Sequence, residues 1–138
     1  MRKTICAAVM FVMSFILVAC GNQTVSKDIW ETAMYTEDTE LGSGSKTIQV
    51  EVQAEDKSVT FTVNTDKETV GEALAENDLI SGENGAYGLY VKVVNGITAD
   101  YDVNKSYWSF SKNGEYMQTG VDKTDLTDGE HYELIYTK

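Results

Sequence analysis

Residues 87–114 read YGLYVKVVNGITADYDVNKSYWSFSKNG, and this stretch decides how the rest of the chain is read. Leu89 to Val94 places apolar side chains at Leu89, Val91 and Val93, and Tyr107 to Lys112 places Trp108 and Phe110 on one face. A two-residue period of this kind marks a strand with one face buried. Each run ends in Asn-Gly, at Asn95-Gly96 and Asn113-Gly114. Both residues tolerate positive φ, so each pair predicts a tight reversal. The two runs are expected to be the central strands of a small sheet.

Upstream, Thr47 to Ala54 alternates Ile48, Val50 and Val52 with Gln49, Glu51 and Gln53, and Val59, Phe61 and Val63 repeat the pattern after Glu55 to Lys57. These runs predict a hairpin. The period then changes. Val70, Ala73, Leu74 and Asn77 stand at helical spacing, and Thr69 with Glu72 fits a capping box, so a helix of about nine residues is expected over 69–77. Asp78 to Gly85 reads as a loop. Asp128-Gly129 leads into a last strand, His131 to Tyr136, with Tyr132, Leu134 and Tyr136 facing one way. The order strand, strand, helix, strand, strand, strand predicts an α+β fold, a β-grasp-like mixed sheet with one short helix.

The pieces YGLYVKVVNGI, YWSFSKNGEY and LTDGEHYELIY, in this order and spacing, resemble the small β domain at the carboxyl end of transcobalamin and intrinsic factor. The resemblance spans about residues 47 to 138 and extends to bacterial lipoprotein forms of the domain. It implies a surface that covers one face of a cobalamin or related corrinoid, handed on to a membrane transporter.

The amino-terminal end predicts export. Arg2 and Lys3 precede an apolar run from Ile5 to Ala19 that ends Leu17-Val18-Ala19-Cys20-Gly21. These are the parts of a secretory signal, too short for a membrane span. Leu-Val-Ala-Cys resembles a bacterial lipobox, which implies cleavage after residue 19 and fatty acids such as palmitate at Cys20. An ordinary signal with a buried or disulfide-bonded Cys20 is the alternative. The other cysteine, Cys6, lies in the discarded segment. Residues 20–46 have no sustained period and close in Gly-Ser-Gly-Ser, so they predict a flexible tether to a compact domain over 47–138. Trp30, Met34 and Tyr35 are the aromatic and apolar exceptions in that tether. The expected location is extracytoplasmic, lipid-anchored to a bacterial membrane.

Composition narrows the function. With 11 basic and 22 acidic residues the net charge is −11, which excludes the basic footprint of a nucleic-acid binder. The one histidine, His131, lacks the partners that nucleophilic or metal chemistry needs, so no catalytic residue and no metal site are expected. Asp100, Asp102 and Asn104 have calcium-loop spacing, but Lys105 stands where a glycine should turn the chain and Ser111 where a glutamate should close it. Aromatic residues carry the binding signal. The candidate ligand surface is Tyr87, Tyr90, Tyr107, Trp108, the Asn113-Gly114 turn and Tyr116, with Trp108 at the edge because it shares parity with Phe110. Cross-strand aromatic pairing that only stabilises the sheet is the competing account. The sequence therefore predicts a monomeric binding module rather than an enzyme. The resemblance implies a corrinoid or similar large cofactor as its ligand; the alternative is a structural or adhesive module that binds another protein.

Overall fold

The alternating runs form the hairpin they predict. In the computed structural model, which describes residues 28–138, β2 (Lys46–Ala54) and β3 (Lys57–Thr65) pair antiparallel, following β1 (Thr39–Gly42). Ile48 lies opposite Val63, Val50 opposite Phe61 and Val52 opposite Val59, and all six are buried. One apolar face is thus fixed by register, because a one-residue slip would turn every one of these side chains to water. The expected signal segment and the lipid-bearing Cys20 lie outside the described residues.

After β3, α1 (Val70–Glu76) begins as expected. Thr69 caps it by accepting the Glu72 amide at 3.2 Å, and Val70, Gly71, Ala73 and Leu74 are buried. Such a short helix is held by packing rather than by propensity. Gly71 allows its closest approach, since a Cβ there would stand 2.8 Å from the Cα of Asp122. Asp122 belongs to a 3-10 turn at Val121–Lys123.

The remaining strands are β4 (Ile80–Gly85), β5 (Gly88–Val94), β6 (Ile97–Thr98), β7 (Tyr107–Lys112), β8 (Glu115–Tyr116) and β9 (His131–Thr137), with a single helical turn, α2 (Tyr101–Asn104), before β7. The main sheet has the order β1-β3-β2-β9-β7-β8. It is mixed, because β2 and β9 run parallel at its centre while β2–β3 and β7–β9 are antiparallel. This is the α+β, β-grasp-like arrangement that the element order predicts. Tyr132 is fully buried and stacks on Phe110, with ring centroids 5.7 Å apart.

Three expectations need correction. First, Leu89–Val94 and Tyr107–Lys112 are not neighbours in one sheet; β5 belongs to a second sheet, β4-β5-β6. Second, Ile80–Gly85 is a strand rather than a loop. It has no alternation to read, since Ser81 to Gly85 are all exposed, and it is strand only because β5 pairs with it. The pairing shifts from Ser81↔Val93 to Gly82↔Val91, so Lys92 has no partner. That bulge breaks the predicted parity, and Val94 rather than Val93 is fully buried.

Third, residues 28–46 are part of the fold rather than a tether. Asp28 caps a 3-10 turn, Ile29–Thr32, that buries Trp30, whose indole N–H donates to the Ala54 carbonyl at 3.0 Å. The buried Asn95 side chain then takes the Tyr35 amide at 2.9 Å and donates to the Tyr35 carbonyl at 2.8 Å. Next, β1 adds in parallel to β3, and the Asp38 carboxylate accepts the Thr60 amide. The segment is a strap across the hairpin and the second sheet. Its composition gives no sign of this because its partners lie far along the chain.

Candidate ligand-binding site

Both Asn-Gly pairs make the reversals their residue types predict. Asn95 and Gly96 have φ of 51° and 77°, and Asn113 and Gly114 have 51° and 83°, with two-residue loops closing β5 on β6 and β7 on β8. The reversals are short and so are the strands they return. Both β6 and β8 have two residues, so among the described residues most of β5 and β7 continues without a neighbouring strand on that side.

Between those uncovered lengths lies a hollow of about 500 Å³. Such a volume is within the range of small-molecule sites, about 300–1,000 Å³. Its walls are the turn Gly85–Gly88, residues Leu89, Tyr90 and Val91 of β5, residues Tyr107, Trp108 and Phe110 of β7, and the segment Tyr116–Val121, with Leu134 behind. Successive residues on a strand point to opposite faces. Leu89-Tyr90-Val91 and Tyr107-Trp108 are nevertheless successive and all line the hollow, so it lies against strand edges rather than on a sheet face.

Of the residues singled out in the sequence, Tyr87, Tyr90, Tyr107, Trp108 and Tyr116 are brought together here. Tyr87 is 94% exposed at the rim and Tyr116 69%, while Tyr90 and Tyr107 are more than a third exposed. Trp108 is buried at the floor. Its ring meets Tyr136 edge-on at 5.6 Å and its indole N–H donates to the Ile97 carbonyl at 3.2 Å, which ties β7 to the second sheet. The hollow is offered that ring's surface and not its N–H. Apolar Leu89, Val91, Phe110 and Met117 complete the lining.

The Asn113-Gly114 turn does not reach the hollow. Its amides are already used, Asn113 donating to the His131 carbonyl and Gly114 to the Glu133 carboxylate at 3.1 and 3.2 Å. His131 lies with that group, its Nε2 3.3 Å from Glu133 and 3.6 Å from Glu51. Behind it, the Tyr132 hydroxyl donates to Glu130, and Lys112 pairs with Glu130 at 2.7 Å. Burial raises the Tyr132 hydroxyl well above the usual tyrosine range, and the Glu130 charge raises it further. Burial pushes the Glu130 carboxyl up, but Lys112 and Tyr132 outweigh it and hold the group below its ordinary value. Asp100 caps α2 by accepting the Asp102 amide, so the acidic spacing there serves a helix start. Among the described residues no group of three His, Cys, Asp or Glu side chains is placed to hold a metal ion.

The segment Met117–Val121 was silent in the sequence. It has no period, and it becomes a wall only because the Met117 amide donates to the Phe110 carbonyl and the chain then leaves the edge of β7.

Comparison with known families matches residues 67–138 to the domain of unknown function DUF4430. The chain belongs to this family. A solved structure of a candidate metal-binding protein from Ruminococcus gnavus is similar over 68% of this chain and 98% of its own, with 36% identity and a TM-score of 0.65. Haptocorrin, solved in complex with Cbi (cobinamide), is similar over 71% of this chain at 20% identity and a TM-score of 0.55. That likeness is one of fold, and this chain spans 26% of haptocorrin's length. No curated protein matches the chain. Membership in DUF4430 covers the half of the chain that holds every wall of the hollow.

Proposed function

We propose that this DUF4430 chain is a binding module that captures a large, flat, apolar-faced ligand of the corrinoid class in the hollow between β5 and β7. The observation that carries this is the convergence of Tyr87, Tyr90, Tyr107, Trp108 and Tyr116 on one open hollow of about 500 Å³. Aromatic rings with exposed hydroxyls offer apolar area and polar tips together, as recognition surfaces do. Haptocorrin's likeness of fold and its complex with Cbi support the choice of ligand class. A hollow of this size takes one face or edge of such a molecule, so binding by the module alone is weak. The module acts by binding, without catalysis. Lipid at Cys20 holds it, as a monomer, on the outer side of a bacterial membrane, where it passes its ligand to a membrane transporter.

Visible absorbance and calorimetry on adding dicyanocobinamide to the purified chain test this. Saturable binding is expected, weakened at least tenfold when Tyr90 and Tyr107 are both replaced by alanine. Binding that survives the double replacement rejects the site. The absence of any signal up to millimolar ligand, from a folded chain, rejects the ligand class.

A further inference from the structure

We propose that the ligand of this hollow carries amide groups, and that the unpaired edges of β5 and β7 hold them by backbone hydrogen bonding. This rests on the reading of the hollow as the ligand site.

The β7 edge comes first. Residues of a strand alternate in the side to which their N–H and C=O point. Lys112 faces Glu115 across the turn, and the Phe110 carbonyl accepts the Met117 amide at 2.9 Å, so this parity points away from β9. Trp108 shares it. Among the described residues no strand stands opposite Trp108 on that side, and the hollow does. Its N–H and C=O are therefore presented to an occupant as Phe110 presents its carbonyl to Met117.

Across the hollow β5 is open in the same way. Its pairing with β6 stops at Val93↔Thr98, followed by one bond from the Ala99 amide to the Lys92 carbonyl. Among the described residues Gly88 to Val91 then has no strand on that side. The Leu89 carbonyl faces Gly120, where a Cβ would stand 3.6 Å from it. Behind that wall Asp122 Oδ1 is buried and makes no hydrogen bond among the described residues. Only hydrogens separate it from two hollow-lining glycines, since a Cβ at Gly88 would lie 2.6 Å from it and one at Gly120 3.0 Å. Gly120 has φ −69° and ψ 164°, ordinary extended backbone, so its conformation does not call for glycine. Its missing side chain instead leaves space beside the Leu89 carbonyl.

The open edges thus offer acceptors and donors together, a C=O and an N–H from each outward-facing residue. A buried acceptor without a donor is costly, so the matching ligand brings N–H groups. Amides bring them with a carbonyl for the Trp108 N–H. The carboxamides of a corrinoid and the backbone of an extended peptide share this chemistry.

The test uses the full chain and two corrinoids with the same macrocycle, dicyanocobinamide with its carboxamides and dicyano-heptamethyl cobyrinate with esters in their place. A third arm uses an end-blocked peptide of alternating valine and threonine and its backbone N-methylated twin. The amide corrinoid is expected to bind at least tenfold more tightly than the ester, and Gly120→Ala, which fits the backbone there, is expected to erase that difference. Slowed exchange of the Trp108 amide in the complex gives a second reading that does not depend on any variant. Tight binding of the peptide but not of its twin also supports the proposal and names a peptide as the source of the amides. Equal binding of amide and ester, with Trp108 exchange unchanged, overturns the amide pairing and leaves the hollow as a ligand site. Failure of every probe to bind the folded chain overturns both readings, and so is distinct from a failure of the amides alone.

Discussion

Replacing Trp30 by alanine separates a strap from a tether by magnitude. In a solvated linker the substitution changes stability by no more than about 0.5 kcal/mol, the usual range for exposed positions. In the structure Trp30 is 6% exposed, and its indole N–H holds the Ala54 carbonyl at the end of β2. A tryptophan buries about 150–250 Å², which at ~25 cal/mol/Å² sets an upper bound of roughly 4–6 kcal/mol. Core Trp-to-Ala losses run about 3–5 kcal/mol, and water can reach part of a site so near the surface. A loss of about 3–4 kcal/mol is therefore expected. With a urea slope of ~1–3 kcal/mol/M for a domain of this size, the unfolding midpoint moves down by about 1–4 M. Met34→Ala is the control from the same segment. Its side chain is 48% exposed, and its backbone bond to the Asn95 carbonyl does not depend on it, so the midpoint should barely move. Equal, small effects from both variants would refute the strap.

Two further predictions concern polar groups. Asn95→Gly keeps the positive φ that the turn needs while removing both side-chain bonds to Tyr35, and leaves the half-buried Tyr35 amide and carbonyl without them. A loss of about 1–3 kcal/mol is expected by chemical denaturation, with faster exchange of the Tyr35 amide; a loss below about 0.5 kcal/mol would remove Asn95 from the strap's anchoring. Glu130 has a depressed folded pKa, so its contribution is complete above the ordinary glutamate value of 4.5 and is lost as pH falls through the lowered one. The stability difference between the chain and its Glu130→Gln variant should accordingly be largest near neutral pH and vanish in acid, as urea midpoints across that range would register. A difference independent of pH would mean that packing, not charge, is what Glu130 supplies.

The legible parts of this fold are those whose information lies within a few residues. The β2–β3 hairpin follows from alternation, α1 from the Thr69 cap and helical spacing, and both Asn-Gly reversals from residue type. Alternation in β5 and β7 likewise identifies two strands, but it carries nothing about which strand lies beside them. That is why one sheet was expected where there are two, and why the bulge at Lys92 could not be anticipated. Residues 28–46 fail for the same reason at longer range. Tyr35 is fixed by Asn95, 60 positions away, and Trp30 by Ala54, so local composition reads as linker whatever the tertiary structure does with it.

The candidate site divides along the same line. Its tyrosines stand out by residue type, and the sequence places them near two turns without showing that they meet. What creates the hollow is the early departure of two returning strands: β6 and β8 each end after two residues, and the chain beyond β8 swings out to form a wall through Gly120. A strand that stops is not a residue pattern but a failure of pairing to continue. The backbone it leaves without a strand partner at Trp108 therefore has no signature in the sequence, although that same Trp108 side chain is among the easiest to single out. Rings that converge on an open strand edge combine apolar contact with fixed donors and acceptors. Under the proposed pairing, a hollow built this way would discriminate between ligands by hydrogen-bonding pattern, as the choice between amide and ester measures, in addition to the apolar area they cover.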